Sequence, residues 1–517
     1  MTRPRAWLSA GLLVAALLGA WAAFPGTGFY QDDWYTLEVS TRPATAREAV
    51  GWYAERGWHW RRPGQILVLP LSHRLVLGRP RLAAGILAGL SALEALMFFG
   101  LLRRMTGRPG AALAATAFLL LYPGRPSFNI WFADILQTAA HPMVLGGLWL
   151  YRDWLDSRRT ARLLLGLLLF LAAGLCYEAA FFLPALLLAD PAVLPWSGDP
   201  KARLRRAAAA LGPLLPCALA LLVWNQFLVA RVFPAAARPA SLALLPALKS
   251  LRIALECVSL RVLHDCARAL GPAARGFSAW HWPLAALCAL LTARLVGSGL
   301  EEQEAPLPRG WWFGVGAVFL GGYLPYAFSG GYEPVMHGIM SRTNAAGAWV
   351  FGMAAAGALC AWPPSRSKGR VWAVGAAAAL LLCAQWTERL DWVRSWKLQE
   401  RVLEDVRSWS SSVPGPATIV LSASLYAGRV VAFDAPYDFD SALHLALGRP
   451  DLRGAVYSWR LRFLPERAEE APAGTADKEY AYARMYLYDV RSREFLRLKG
   501  PPDASWLKAH PERLVAL

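Results

Sequence analysis

Charge is scarce along this chain. Of 517 residues only 17% are charged, against 56% that are hydrophobic, and the mean hydropathy is +0.32. That balance excludes an ordinary soluble enzyme and predicts a polytopic membrane protein. Cysteine is sparse too. The seven residues (Cys176, Cys217, Cys257, Cys266, Cys288, Cys360, Cys383) lie mostly in or near apolar runs, without CxxC spacing. They offer no disulfide framework and no zinc site and read as small core residues; only Cys257 and Cys266 merit consideration as a bridge. Acids are outnumbered, 36 against 54 lysines and arginines, for a net charge of +18. The excess does not mark a nucleic-acid binder, because the bases fall in short clusters between apolar runs, as they do in cytoplasmic loops. Internal repeats are absent, which disfavours architectures built from duplicated halves.

What the chain does have is apolar length. Spans are expected at about 7–25, 81–102, 111–123, 131–150, 162–176, 179–190, 207–230, 279–297, 310–329, 344–362 and 371–387, about eleven helices in all, each needing about 20 apolar residues. Arg3 and Arg5 precede the first run, which is long for the core of a signal peptide, and Gly26-Thr27-Gly28 is a poor cleavage site; the run reads as a retained first helix. Arg103, Arg104 and Arg108, then Arg158, Arg159 and Arg162, then Lys201 to Arg206 and Arg366 to Arg370 all fall on one side of such a layout. The positive-inside rule assigns that side, with the N-terminus, to the cytoplasm. The acidic Glu301-Glu302-Gln303-Glu304 shares it but counts little in the rule.

The opposite face then carries the long connections. The first, Gly26 to Arg79, opens on Phe29-Tyr30-Gln31-Asp32-Asp33-Trp34 and continues through Trp58-His59-Trp60-Arg61-Arg62-Pro63. Its stretch from Gly64 to Leu77 suits a helix lying on or dipping into the membrane. A second loop, Arg231 to Ser278, is amphipathic around Leu248 to Leu263. A third holds Tyr332, Glu333, His337 and Arg342. After about residue 390 the composition changes. Thr418 to Leu421 reads as a buried strand, Arg429 to Phe433 as another, Tyr437 to Leu447 as a helix and Arg484 to Leu498 as a strand pair. The expected organisation is a transmembrane module over 1–390 and a small extracytoplasmic α/β domain over 391–517, about one hundred residues.

Asp32 and Asp33 are two adjacent carboxylates between aromatics, just after a span, where ionisable groups are costly and raise the odds of function. They equally fit solvated acids capping the next helix. Their mutual repulsion can raise one pKa and assist proton transfer. A divalent cation, Mg or Mn, between them is the one cofactor the pair suggests, although hard cations want more oxygen ligands than the segment offers. Arg61 and Arg62 suit either snorkelling and anchoring to lipid phosphate or a catalytic role, and Arg342 suits an ordinary interfacial base, although its side runs against the positive-inside trend, which favours a job for it. His59 and His337 suit local hydrogen bonding. Glu178, at a span end, suits pairing with an arginine as well as a site role. Asp134 and His141, in the fourth span, read as one buried polar contact.

The aromatic-Asp-Asp motif after the first helix, followed by a Trp-rich segment ending Arg62-Pro63, resembles the GT-C superfamily of membrane glycosyltransferases. The closest pattern is the branch similar to protein O-mannosyltransferases and family-39-like bacterial enzymes. Tyr122-Pro123 before Trp131, Tyr177-Glu178-Ala179-Ala180 before Pro184, and Arg342 before a long apolar helix are similar to further elements of that branch. The similarity covers roughly residues 1–390 and is strongest over 1–190. The chain departs in having Tyr177 where the family has lysine, in lacking a carboxylate in the turn before Trp131, and in having no C-terminal repeat array. The resemblance implies a GT-C-like bundle that moves a sugar, with inversion, from a polyprenyl-phosphate donor to a glycan, lipid or protein acceptor. Asp32 or Asp33 would serve as base, and His59, Arg61, Arg62, Glu178 and Arg342 would bind substrate. The alternatives are a lipid-linked glycan transporter or flippase, and a non-catalytic assembly subunit.

Overall fold

The computed structural model describes residues 3–22, 26–194, 199–233, 243–301, 307–308, 310–328, 332–413, 415–458, 461–470, 478–503, 506 and 513–516. Among them, six helices are long and apolar enough to cross a membrane: Pro4–Trp21, Pro80–Thr106, Pro200–Val223, His281–Glu301, Ile339–Ala361 and Ser367–Ser410. The chain is therefore a membrane protein. These six coincide with six of the expected spans. The expectations at 111–123 and 162–176 fall on shorter apolar helices, Pro109–Leu121 and Thr160–Cys176. At 1.5 Å per residue the 13 residues of the former reach about 20 Å, short of a hydrocarbon core of about 30 Å. They are nevertheless almost wholly buried among their neighbours. The expectation at 179–190 falls on a tight helical run, Glu178–Ala189.

Small residues let the helices approach. A Cβ on Gly147 would lie 2.9 Å from the carbonyl oxygen of Gly166, and one on Gly166 equally close to that of Gly147, so Ile135–Ser157 and Thr160–Cys176 pack backbone to backbone. All seven cysteines are free, Cys257 and Cys266 included. An ionic group centred on Glu94 is buried in the bundle. Glu94 accepts Arg125 Nη1 at 3.1 and 2.9 Å and Trp349 Nε1 at 2.7 Å, and lies 2.8 Å from His141 Nδ1. His141 is thus partnered by Glu94 rather than by Asp134 as the sequence suggested. A buried carboxylate needs such compensation, and Glu94, mid-helix, lies closer to it than Asp134, which sits in the turn before the helix.

The first long connection folds into three helices, Asp32–Thr41, Ala46–Ala54 and Gly64–Val76, with a tight turn at Gly57–Arg61. Thr45 Oγ1 caps the second by accepting from Glu48 N at 3.2 Å. Arg74 Nη1 donates to Ser40 O at 3.0 Å and Pro43 O at 2.8 Å, closing the end of the first. Gly64–Val76 buries Ile66, Leu69 and Val76 and leaves Leu67, Leu71 and Leu75 exposed, as a helix lying against a membrane requires.

The last apolar helix does not stop at residue 390. Ser367–Ser410 runs for 44 residues, about 66 Å, and carries the C-terminal domain on its distal part. There Ser395 Oγ donates to Val431 O at 2.8 Å. The domain begins at the strand Ala417–Leu421, whose residues are all buried. This strand pairs in parallel with Leu452–Val456 on one side and Met485–Asp489 on the other, and Glu494–Arg497 adds an antiparallel edge. The expected helix appears as Pro436–Leu447.

Candidate functional site

The two aspartates diverge. Asp33 is wholly buried. Its Oδ2 accepts from Tyr30 N at 2.9 Å and its Oδ1 from Ala133 N at 2.5 Å. Trp131 Nε1 reinforces the same joint by donating to Tyr30 O at 3.0 Å, and Tyr30 Oη donates to Trp392 O at 2.8 Å. Asp33 therefore pins the first loop to the turn before Ile135. Burial pushes its carboxyl well above the ordinary range, against the pull of the amide donors.

Asp32, one residue earlier, is half-exposed and accepts the Tyr437 hydroxyl at 2.8 Å. Tyr437 stands on Pro436–Leu447, the helix of the C-terminal domain, which docks along Asp32–Thr41. Ser441 Oγ donates to Glu38 Oε2 at 2.6 Å, and His444 Nδ1 lies 2.7 Å from Glu38 Oε1. Burial opposes the Glu38 charge, yet the bonds from His444 and Ser441 hold its carboxyl below the ordinary range, while the bond to Glu38 raises His444. The domain thus becomes one wall of the site.

A second part of the site is basic. The Arg62 guanidinium lies 4.1 Å from the Tyr177 ring centre, and Arg342 lies 5.0 Å from that of Trp131. Such distances are within cation–π range. Asp134, buried, feels the charges of both arginines, and its Oδ2 has no hydrogen-bond partner among the described residues. The charges of Asp134 and Asp32 both act on Arg342, as does the Tyr177 hydroxyl. Four separate segments thus bring Asp32, Arg62, Asp134, Tyr177 and Arg342 into one electrostatic group. Tyr177 supplies the aromatic face on which Arg62 rests.

Sequence reasoning paired Asp134 with His141 and gave it no role in a site; an acid at the start of an apolar helix was the available signal. Of the other predicted residues, His59 is not brought into this group. It is buried inside the first loop, its ring 4.5 Å from that of Tyr53 and its Nδ1 3.2 Å from Gln65 Oε1. Burial lowers its pKa to about 4, so the ring is neutral. Arg61 is half-buried on the same turn. Glu178 begins its helical run, but its side chain lies outside the described residues. His337 belongs to a separate junction, 2.9 Å from Glu388 Oε2 and 3.1 Å from Asp265 Oδ2.

A divalent ion shared by Asp32 and Asp33 does not fit this geometry. Asp33 is sealed and both its oxygens hold amides, which leaves Asp32 alone facing the site. Among the described residues no group of three or more His, Cys, Asp or Glu side chains is placed to hold a metal. Compared with known proteins, the chain matches no family model, and no curated protein matches it.

Proposed function

We propose that this protein is a membrane glycosyltransferase of the GT-C type. It moves a sugar from a polyprenyl-phosphate donor to a glycan, lipid or protein acceptor on the extracytoplasmic face. On this reading the helices make about eleven crossings, the shorter ones aided by local thinning of the bilayer. The N-terminus is cytoplasmic and the C-terminal domain extracytoplasmic.

Asp32 takes the proton of an acceptor hydroxyl as that oxygen attacks the anomeric carbon. The bond from that carbon to the lipid-phosphate oxygen breaks, and the departing phosphate keeps the electron pair. Arg62 and Arg342 neutralise the charge that builds there. Displacement from the opposite side inverts the sugar carbon. Asp134 keeps both guanidiniums oriented before the donor arrives. No step runs through a metal ion.

The observation that carries this reading is the convergence of Arg62 and Arg342 around Asp134 and Tyr177, with the half-exposed Asp32 acting on the same Arg342. One carboxylate beside two cations, at the end of an apolar bundle, is the equipment that lipid-phosphate displacement needs. The test is transfer from a labelled polyprenyl-phosphate sugar by the purified chain in lipid. Asp32→Asn is expected to lower the rate at least about 100-fold. Transfer that survives Asp32→Asn, or net lipid-linked glycan transport in its place, overturns the assignment.

A further inference from the structure

Two helices beside the C-terminal domain leave their leucines uncovered. Leu260–Gly276 has three distinct sides. Val262, Cys266, Ala269 and Ala273 are buried, packed toward the long helix Ser367–Ser410. Leu260, Leu263 and Leu270 share a second side at helical spacing and are 67%, 69% and 48% exposed. Arg268 and Arg275, seven residues apart and both exposed, line the flank beside those leucines. Leu244–Cys257 repeats the arrangement. Ala247, Ile253, Ala254 and Cys257 are buried, Leu244, Leu248 and Leu255 are exposed along one side, and Arg252 stands next to them.

The chain itself marks the depth of this pair. Leu260–Gly276 passes through only a few residues into His281–Glu301, a helix able to cross the membrane. Trp280 and Trp282, at the start of that helix, are exposed, and indoles gather where lipid meets water. Asp265 joins the pair to the site's end of the bundle, lying 3.1 Å from His337 and 3.7 Å from Arg429 of the C-terminal domain. The leucine faces therefore adjoin a helix able to cross the membrane. Arg268 and Arg275 give Leu260–Gly276 a cationic edge, whereas Arg252 is paired with Glu256 at 3.5 Å.

We propose that Leu244–Cys257 and Leu260–Gly276 form an interfacial platform, with their leucines among lipid acyl chains and Arg268 and Arg275 on anionic headgroups. Apolar insertion combined with basic contact is how surface helices hold a charged leaflet. The inference does not depend on the chemistry at Asp32. A second copy of the chain or a soluble protein could also cover leucines, but neither accounts for the tryptophan level and the arginine edge together.

The test uses the full-length chain in nanodiscs, with the partly accessible Cys217 and Cys360 changed to alanine and a bimane label on Leu263→Cys or Leu270→Cys. Glu494→Cys, exposed on the C-terminal domain, is the aqueous control. The expected result is quenching of about twofold or more by doxyl-labelled lipid at both leucine sites, with protection from iodide. Iodide quenching equal to that at Glu494→Cys overturns the platform. A label shielded from both quenchers overturns it as well, because protein then covers the face. Separately, Arg268→Gln with Arg275→Gln is expected to reduce the preference for phosphatidylglycerol over phosphatidylcholine roughly tenfold, read by native mass spectrometry. An unchanged preference overturns the headgroup contact.

Discussion

Tyr437 donates its hydroxyl to Asp32 Oδ1 at 2.8 Å across a sequence separation of 405 residues. The C-terminal domain therefore contributes an atom to the site and not merely a neighbouring surface. A hydroxyl held on one carboxylate oxygen fixes the plane of the group, and under the proposed mechanism the other oxygen is the one that meets the acceptor. Tyr437→Phe removes that bond and keeps the ring, whose edge contact with Tyr35 at 5.6 Å is apolar. The loss of about 1 kcal/mol of orientation is expected to lower kcat about fivefold, with the donor KM unchanged. Steady-state transfer kinetics at varied donor concentration check it; a change confined to KM contradicts the positioning role.

The adjacent acids should separate cleanly in a stability measurement. Asp33→Asn leaves an amide NH2 facing the Ala133 or Tyr30 N–H in a buried joint, a conflict expected to cost about 2–3 kcal/mol. Asp32→Asn, half-exposed and with the Tyr437 hydroxyl able to turn toward its amide oxygen, is expected to shift stability by less than about 0.5 kcal/mol while abolishing transfer. Thermal unfolding in detergent, set beside transfer assays, checks both. Equal destabilisation by the two substitutions contradicts the division of labour.

How far the chain announced these features follows from distance along it. The apolar runs and the strand Ala417–Leu421 are local patterns, and both were readable. So was the acid pair, since its aromatic setting is contained within six residues. The division between Asp32 and Asp33 was not readable. Which one is buried depends on Ala133, 100 residues on, and on Tyr437, 405 residues on. The place of Asp134 beside two arginines was not readable for the same reason. Its neighbours Arg62 and Arg342 come from distant loops, and only the closed bundle brings them together. The local hydrogen bonding read for His59 agrees with its contact to Gln65 at 3.2 Å; its substrate-binding role came only from the resemblance, because a histidine beside arginines in a tryptophan-rich loop looks alike whether it faces a site or the loop's own core.

Tyr177 offers a sharper test of the basic part of the site. Its ring supports the Arg62 guanidinium at 4.1 Å. Tyr177→Phe keeps the aromatic face and is expected to change the donor KM less than about threefold. Tyr177→Lys introduces the residue type of the enzymes that the sequence resembles but sets an ammonium against Arg62 and Arg342. In a setting that already gathers two guanidiniums, the added repulsion is expected to disturb Arg62 and raise the donor KM about tenfold. Donor titration at saturating acceptor distinguishes the two. Improved donor binding in Tyr177→Lys would mean that the site is short of positive charge and that Arg62 does not serve it.

The bond between Glu38 and His444 ties the docking of the C-terminal domain to pH. Glu38 holds His444 above its ordinary value, so the charged pair contributes fully below about pH 6.5 and is lost as pH rises through the raised value. Glu38 itself is held below the ordinary carboxylate range, so its share persists in mild acid and is lost only as pH falls through that lowered value. Docking is therefore expected to be tightest at about pH 5–6.5 and to loosen toward alkaline pH. His444→Gln keeps a hydrogen-bond donor within reach of Glu38 but cannot take up a proton, so it should flatten the alkaline slope. The pair is partly exposed, and the expected difference is about 1 kcal/mol. Hydrogen exchange over Pro436–Leu447 between pH 6 and 9, corrected for the intrinsic rate, measures it. A corrected protection that is independent of pH in the wild-type chain would show that Ser441 and apolar packing hold the helix without the ion pair.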